Sequence, residues 1–245
     1  MAADSTLTVL LYSSVAAGAA GLGAAPLAVR ARLPLVWIGW ANALAAGFML
    51  GAAYALIVAG LDRMALQGAA GAVLGIGFVF FSHAASHTDE LDLNRLDETS
   101  PAYGYQVVLV NTLHSASEGI AIGAAMAVSL SFGVFLALAI AVHNVAEATV
   151  LSSILVSRGV RPRDAAALSI ATNMSQVLLA IVTLAIVSAV PGMLPWALGF
   201  AAGAMIYLVM AELLPESYRQ AGRVSIGLAT ILAMGMVVLI NGRSP

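Results

Sequence analysis

The chain has 245 residues, 61% of them hydrophobic and only 9% charged, with a formal net charge of −2. A soluble domain carries about 25% charged residues, so this composition excludes one and makes lipid the main solvent. Cysteine is absent, which excludes disulfides and thiolate metal sites, and a net-negative chain whose only basic residue is arginine points away from a nucleic-acid partner.

A bilayer core of about 30 Å needs about 20 apolar residues per helix. On that ruler the sequence predicts an all-α integral membrane protein of eight transmembrane helices, at 6–27, 35–60, 68–86, 104–127, 131–156, 164–190, 196–215 and 223–241. The first has no basic region before it and reads as a retained span, although Ala17-Gly18-Ala19-Ala20 could mimic a cleavage site. Breaks fall where charge, proline and glycine concentrate, including Arg30 to Pro34, Asp62 to Gln67, His87 to Tyr103 and Pro191 to Pro195. The whole of 1–245 therefore reads as one transmembrane domain. Small residues inside the spans, as in Gly18-Ala19-Ala20-Gly21 and Gly68-Ala69-Ala70-Gly71, allow close approach of helix backbones.

Arginines bias loops toward the cytoplasm. The loops after spans one, three, five and seven hold Arg30, Arg32, Arg95, Arg158, Arg161, Arg163, Arg219 and Arg223, against Arg63 and Arg243 on the other face. Both termini are thus expected outside the cytoplasm, in a plasma (bacterial inner) membrane. The loop 87–103 is then cytoplasmic, and its Asp89, Glu90, Asp92, Asp97 and Glu98 read either as a solvated acidic loop or as a weak metal-collecting one. Leu44-Ala-Ala-Gly-Phe-Met49 in span two is echoed by Phe200-Ala-Ala-Gly-Ala-Met205 in span seven. The two spans run in opposite directions, which suggests an inverted repeat of spans one to three and six to eight around a central pair, spans four and five.

That central pair carries two His-x-x-x-Glu motifs, His114 with Glu118 and His143 with Glu147. Residues four apart share a helix face, so each helix offers one imidazole and one carboxylate to a common point. Two nitrogens with carboxylate oxygens suit Zn²⁺, Fe²⁺ or Mn²⁺ better than Mg²⁺ or Ca²⁺. Hydrogen-bonded bundle residues would be the plainer reading. It fails on charge: a mid-bilayer carboxylate costs about 2.5–3.5 kcal/mol or more, and no arginine lies inside a span to neutralise Glu118 and Glu147. A divalent cation would neutralise both, and its binding would release protons and weaken in acid.

Around this set, Ser115 and Asn144 sit three residues before their glutamates, and Asn173 and Gln176 lie at similar depth in span six. These four either line a neighbouring ion position or hydrogen-bond across helices. Met49 is either core filler or an auxiliary soft ligand. Toward the cytoplasmic ends, His83, Glu212 and Glu216 form either an exit relay or a set of groups that reach water.

His114-Ser-Ala-Ser-Glu118-Gly119 and His143-Asn-Val-Ala-Glu147 resemble the paired fourth- and fifth-helix motifs of the ZIP metal transporters, bacterial branch, and Gly203 to Glu216 resembles that family's seventh-helix signature. The resemblance implies movement of zinc, or of iron, manganese or cadmium, toward the cytoplasm, commonly by a homodimer. Ser117 and Ala146 replace the motif prolines, Ala148 a glycine and Ser115 an asparagine, and Gln176 stands where many members have a carboxylate. One well-formed site is therefore expected, with a weak or absent neighbour, and straight fourth and fifth helices. A competing class, an intramembrane metalloenzyme using the same ligands, lacks a His-Glu-x-x-His motif.

Overall fold

The computed structural model describes the backbone of residues 2–30, 32–86 and 101–241, and the side chains of 5–30, 32–84 and 108–241. The acidic residues expected to form the loop 87–103, Asp89, Glu90, Asp92, Asp97 and Glu98, lie outside the described residues. Helix α1 (Ala2–Ala19) passes through a 3-10 turn (Ala20–Ala24) into the short α2 (Ala25–Val29), where Pro26 occupies the first turn. Then come α3 (Leu35–Ser86), α4 (Pro101–Val128), α5 (Leu130–Ser157) and α6 (Pro162–Ala189). A 3-10 turn (Pro191–Met193) leads to α7 (Leu194–Leu208), a π-helical turn (Val209–Leu213), α8 (Leu214–Ala221) and α9 (Arg223–Asn241). Among the described residues every regular element is helical.

As a straight rod, the 52 residues of α3 would extend about 78 Å, more than twice the hydrocarbon thickness. The chain instead folds back at Met64 (φ −153°, ψ 96°), inside the break expected at 62–67. A Cβ on Gly68 would lie 3.1 Å from the carbonyl carbon of Gly60, whereas eight residues along a continuous helix are about 12 Å apart. The arms 35–63 and 65–86 are therefore an antiparallel hairpin, and two glycines permit its tight mouth.

Six described stretches are long and apolar enough to cross a membrane: Ser5–Val29, Leu35–Ala84, Leu130–Ser157, Pro162–Ala189, Pro191–Ala221 and Arg223–Asn241. Helix α4 is not among them, because Asn111, Thr112, His114, Ser115, Ser117 and Glu118 make its middle polar. Such a helix reaches mid-bilayer only when packed inside protein. Accordingly α4 lies against α6, where Gly119 faces the Gln176 backbone and Gly123 that of Ala180. Without side chains, these two positions let the helices touch at backbone distance.

Glycine governs the rest of the packing too. The first arm of α3 rests on α9, with Gly47 against Thr230 and Ala233 and Gly51 against Val237, while the second arm rests on α7, with Gly203 against Ala72. Together these contacts enclose a dry core of Leu56, Ile122, Leu136, Ile140, Leu198 and Met205, each under 2% exposed. The outer faces carry exposed Leu7, Leu66, Phe81, Leu178, Val224 and Leu232, as expected of surfaces facing lipid rather than water.

Candidate metal centre

Helices α4 and α5 run unbroken through their motifs, so the i, i+4 spacing holds and each presents its histidine and glutamate on one face. Nε2 of His143 stands 2.9 Å from Oε1 of Glu118 and 3.4 Å from Oε2 of Glu147. Two ligands bound tetrahedrally to zinc at about 2.0–2.1 Å are about 3.3–3.5 Å apart, so these three groups already have nearly the spacing one ion needs. The donor atoms of Glu118, His143 and Glu147 all lie within 4.8 Å of one another.

Glu118 is the most constrained member. It is 0% exposed, and neither carboxylate oxygen receives a hydrogen bond of proper geometry, the close approach of His143 being an ion-pair contact only. Oε2 of Glu147 and Nδ1 of His143 are likewise buried and without hydrogen-bond partners. Buried polar atoms are almost always satisfied in folded proteins. The Glu118 oxygens and Oε2 of Glu147 lie on the Nε2 side of the His143 ring, where a set of buried acceptors without donors suits a cation, whereas Nδ1 points away from them.

His114 sits between two clusters. Its Nδ1 is 3.7 Å from Oε1 of Glu147, and its Nε2 is 3.1 Å from Nε2 of His83 and 3.8 Å from Oε1 of Glu212. The rings of His83 and His114 stack with centroids 5.4 Å apart, and His83 Nε2 is 2.9 Å from Glu212 Oε1. His83, His114 and Glu212 thus make a second compact group of donor atoms within 4.8 Å of one another. Glu212 points there from the π-helical turn, which arises where Pro215, lacking an N–H, leaves the Ala211 carbonyl without its i+4 donor.

The remaining sequence candidates fall into place around this line. Ser115 donates to Oδ1 of Asn173 at 2.9 Å, and Asn144 donates to Oε1 of Gln176 at 2.9 Å and to the Ala16 carbonyl at 3.0 Å. These four groups hold helices together, although Oδ1 of Asn144 and Nε2 of Gln176 have no hydrogen-bond partner. Met49 lines the central cavity at 3% exposure. Glu216 also lines it but is clamped by Arg219 at 2.6 Å and by Gln220 at 2.6 Å, so its charge is already balanced.

Sequence reading missed Asn111 and Thr172. Asn111 donates to Oε1 of Glu147 at 2.8 Å, and Thr172 donates to Oδ1 of Asn111 at 2.8 Å. The available signal was positional: Asn111 precedes His114 by three residues and Ser115 by four, on the same face of α4. Asn42, buried and lining the cavity, carried no such neighbour.

The cavity, about 100 Å³, begins at Glu118, His143 and Glu147 and is lined beyond them by Asn42, Ile154, Glu212, Pro215 and Arg219. It therefore leads from the ligands toward the end of the bundle that bears Arg219. On the opposite side the ligands are backed by the dry core around Ile122, Ile140 and Met205.

The cluster is buried, combines carboxylates with imidazoles and is approached through the cavity from one end of the bundle. The ZIP zinc transporter family model matches residues 81–240. The chain belongs to the ZIP family. Zinc transporter GufA of Myxococcus xanthus is 30% identical over 224 residues, covering 86% of this chain and 88% of that protein. Zinc transporter ZIPB of Bordetella bronchiseptica is 30% identical over 235 residues, covering 84% and 73%. An Arabidopsis thaliana protein named for zinc transport is 34% identical over 244 residues, covering 97% of this chain. The chain spans only 39% of that plant protein's length. The ZIP family is one of transporters and not of enzymes, which sets the metalloenzyme reading aside.

Proposed function

We propose that this ZIP chain carries Zn²⁺ toward the cytoplasm, binding it at mid-membrane through Glu118, His143 and Glu147 with His114 beside them. The observation that carries the reading is Glu118: a fully buried carboxylate whose oxygens accept no hydrogen bond of proper geometry, 2.9 Å from the His143 imidazole and clustered with a second carboxylate, Glu147. Desolvating such a group is costly unless a cation accompanies it. The relatives named as zinc transporters favour zinc as the cargo, and a nitrogen and oxygen donor set is compatible with Fe²⁺, Mn²⁺ and Cd²⁺ as well.

The direction rests on the arginine bias, which assigns the Arg158 and Arg219 end to the cytoplasm. In that orientation the cavity opens inward and the dry core around Ile122 and Met205 closes the outer side, an arrangement suited to release. Eight crossings follow if each arm of α3 spans once and α4 crosses inside the bundle. The packing supports an inverted repeat: Gly47 of the first echo meets α9, and Gly203 of the second meets the second arm of α3, which are corresponding contacts if spans one to three map onto six to eight. Residues 1–245 then act as a single transmembrane domain in a plasma membrane, with external termini and, as ZIP resemblance suggests, in homodimers. The hydrogen-bonded pairs Ser115–Asn173 and Asn144–Gln176 favour one ion at this depth rather than two, since they supply no carboxylate to a neighbour.

The test is uptake of Zn²⁺ into sealed proteoliposomes. Wild type should load the vesicles, and Glu118→Gln and His143→Ala should each cut the rate at least about tenfold, the effect expected when a ligand is lost. Undiminished uptake by both variants would overturn the assignment of the site.

A further inference from the structure

We propose that the ion pair of Glu216 with Arg219 is a release gate at the mouth of the cavity, in which the guanidinium disarms a carboxylate that would otherwise hold the departing cation.

Glu216 and Arg219 lie three residues apart on α8, and both line the cavity that begins at Glu118, His143 and Glu147. The pair straddles the mouth, because the side chain of Glu216 is 9% exposed and that of Arg219 is 44% exposed. Nε and Nη2 of Arg219 donate to Oε2 of Glu216 at 2.9 Å and 2.6 Å, and Nε2 of Gln220 donates to Oε1 at 2.6 Å. Gln220 is packed against Gly39 on the first arm of α3. Asn42, three residues further along that arm, also lines the cavity, and its side-chain oxygen is buried without a hydrogen-bond partner. Both oxygens of Glu216 are thus occupied, whereas neither oxygen of Glu118 accepts a hydrogen bond. The cavity changes character along its length. Its deep carboxylates are open to a cation, while at its mouth the carboxylate is taken and the open acceptor is the neutral amide of Asn42.

A purely structural role is a poor explanation for this pair. Ion pairs three residues apart on a helix add little stability, and burying the carboxylate costs desolvation that the pairing barely offsets. Loss of one partner of such a pair, by contrast, leaves an uncompensated charge in the interior. Without the guanidinium, Glu216 becomes that charge, on the ion's own route, where a divalent cation is the partner that reaches it. Conduction requires each stop to bind weakly enough for the ion to leave. Arg219 therefore keeps the carboxylate at the mouth from becoming a trap.

This inference rests on the reading of the cavity as the ion's route, and Zn²⁺ uptake into proteoliposomes by the full-length chain tests it separately. Arg219→Gln should lower the maximal rate at least about fivefold, because the unmasked carboxylate delays release. Slow release lowers KM in the same proportion, so the ratio of maximal rate to KM should stay within about twofold of wild type. Arg219→Gln/Glu216→Gln removes both charges and should recover to within about twofold of the wild-type rate, since the two sites are coupled. Arg219→Lys keeps the charge and should transport like wild type, and it carries the test even if Arg219→Gln does not fold. Size-exclusion and thermal-unfolding profiles matching wild type establish that each variant is folded. A wild-type rate for Arg219→Gln, a fall in its ratio of maximal rate to KM, or no recovery in the double variant would overturn the gate. So would an Arg219→Lys variant slowed fivefold or more. If Glu118→Gln and His143→Ala transport normally while the Arg219 series behaves as described, the assignment of the deep ligands fails and the gate stands.

Discussion

The side-chain amide of Asn111 donates a 2.8 Å hydrogen bond to Oε1 of Glu147, the oxygen that faces His114, and Thr172 fixes the amide by donating 2.8 Å to its carbonyl oxygen. With Oε1 held in this way, Oε2 is left turned toward His143. Groups that orient ligands commonly tune metal affinity by 10- to 100-fold. Asn111→Ala should therefore raise the KM for Zn²⁺ uptake about tenfold or more while leaving the maximal rate closer to wild type. Thr172→Val should do the same more weakly, because the amide keeps its bond to Glu147 but loses its anchor. Initial rates over a range of Zn²⁺ concentrations separate the two parameters, and an unchanged KM for Asn111→Ala would count against an orienting role.

Gly119 follows Glu118 directly and faces the backbone of Gln176, where a Cβ would overlap the carbonyl oxygen. Gly119→Ala should push α4 from α6 and destabilise the protein by about 1–3 kcal/mol, the usual range for overpacking. The displacement also moves Glu118, so Cd²⁺ affinity should fall with the thermal midpoint. Thermal unfolding in detergent with and without Cd²⁺ reads both effects. A midpoint equal to wild type would show that the helix contact relaxes freely.

The amide pair Asn144 and Gln176 lies buried at 0% exposure beside the deep cluster. Replacing it by carboxylates, Asn144→Asp/Gln176→Glu, adds two negative charges where an adjacent ion would sit. That variant should bind one more Cd²⁺ than wild type in a titration, because a second cation now offsets the buried charge. Retention of wild-type stoichiometry would mean that geometry, and not charge, withholds the second position.

Acid should oppose binding. Metal ligands must be free of protons, so each ion bound displaces protons from histidine and glutamate side chains, and affinity falls as pH falls. In a weakly buffered titration of the purified chain, Cd²⁺ addition should acidify the solution, and Zn²⁺ affinity should drop between pH 7 and pH 5. The release should shrink in His143→Ala, which has one fewer ligand to deprotonate. Metal binding without proton release at either pH would contradict the proposed ligand set.

The sequence by itself determined the solvent, the helical class and the two motifs. Too few charges for water dictate lipid, and apolar runs of about 20 residues in lipid dictate helices. The i, i+4 spacing put His114 with Glu118 and His143 with Glu147 on shared faces before any fold was known. That Gln176 stands where the resemblance to the ZIP pattern leads one to expect a carboxylate was legible as well, because that comparison needs only the sequence. Which helices meet is not legible in that way. Only the tertiary structure brought Glu118 to His143 across two helices, divided His114 between Glu147 and the pair His83 and Glu212, and carried Thr172 to Asn111 across 61 residues of chain. Those partners are chosen by backbone contacts at positions such as Gly119 and Gly203, where the absence of a side chain lets helices close. A glycine in the sequence permits a close approach, but the helix that makes it is selected by the packing of the whole bundle.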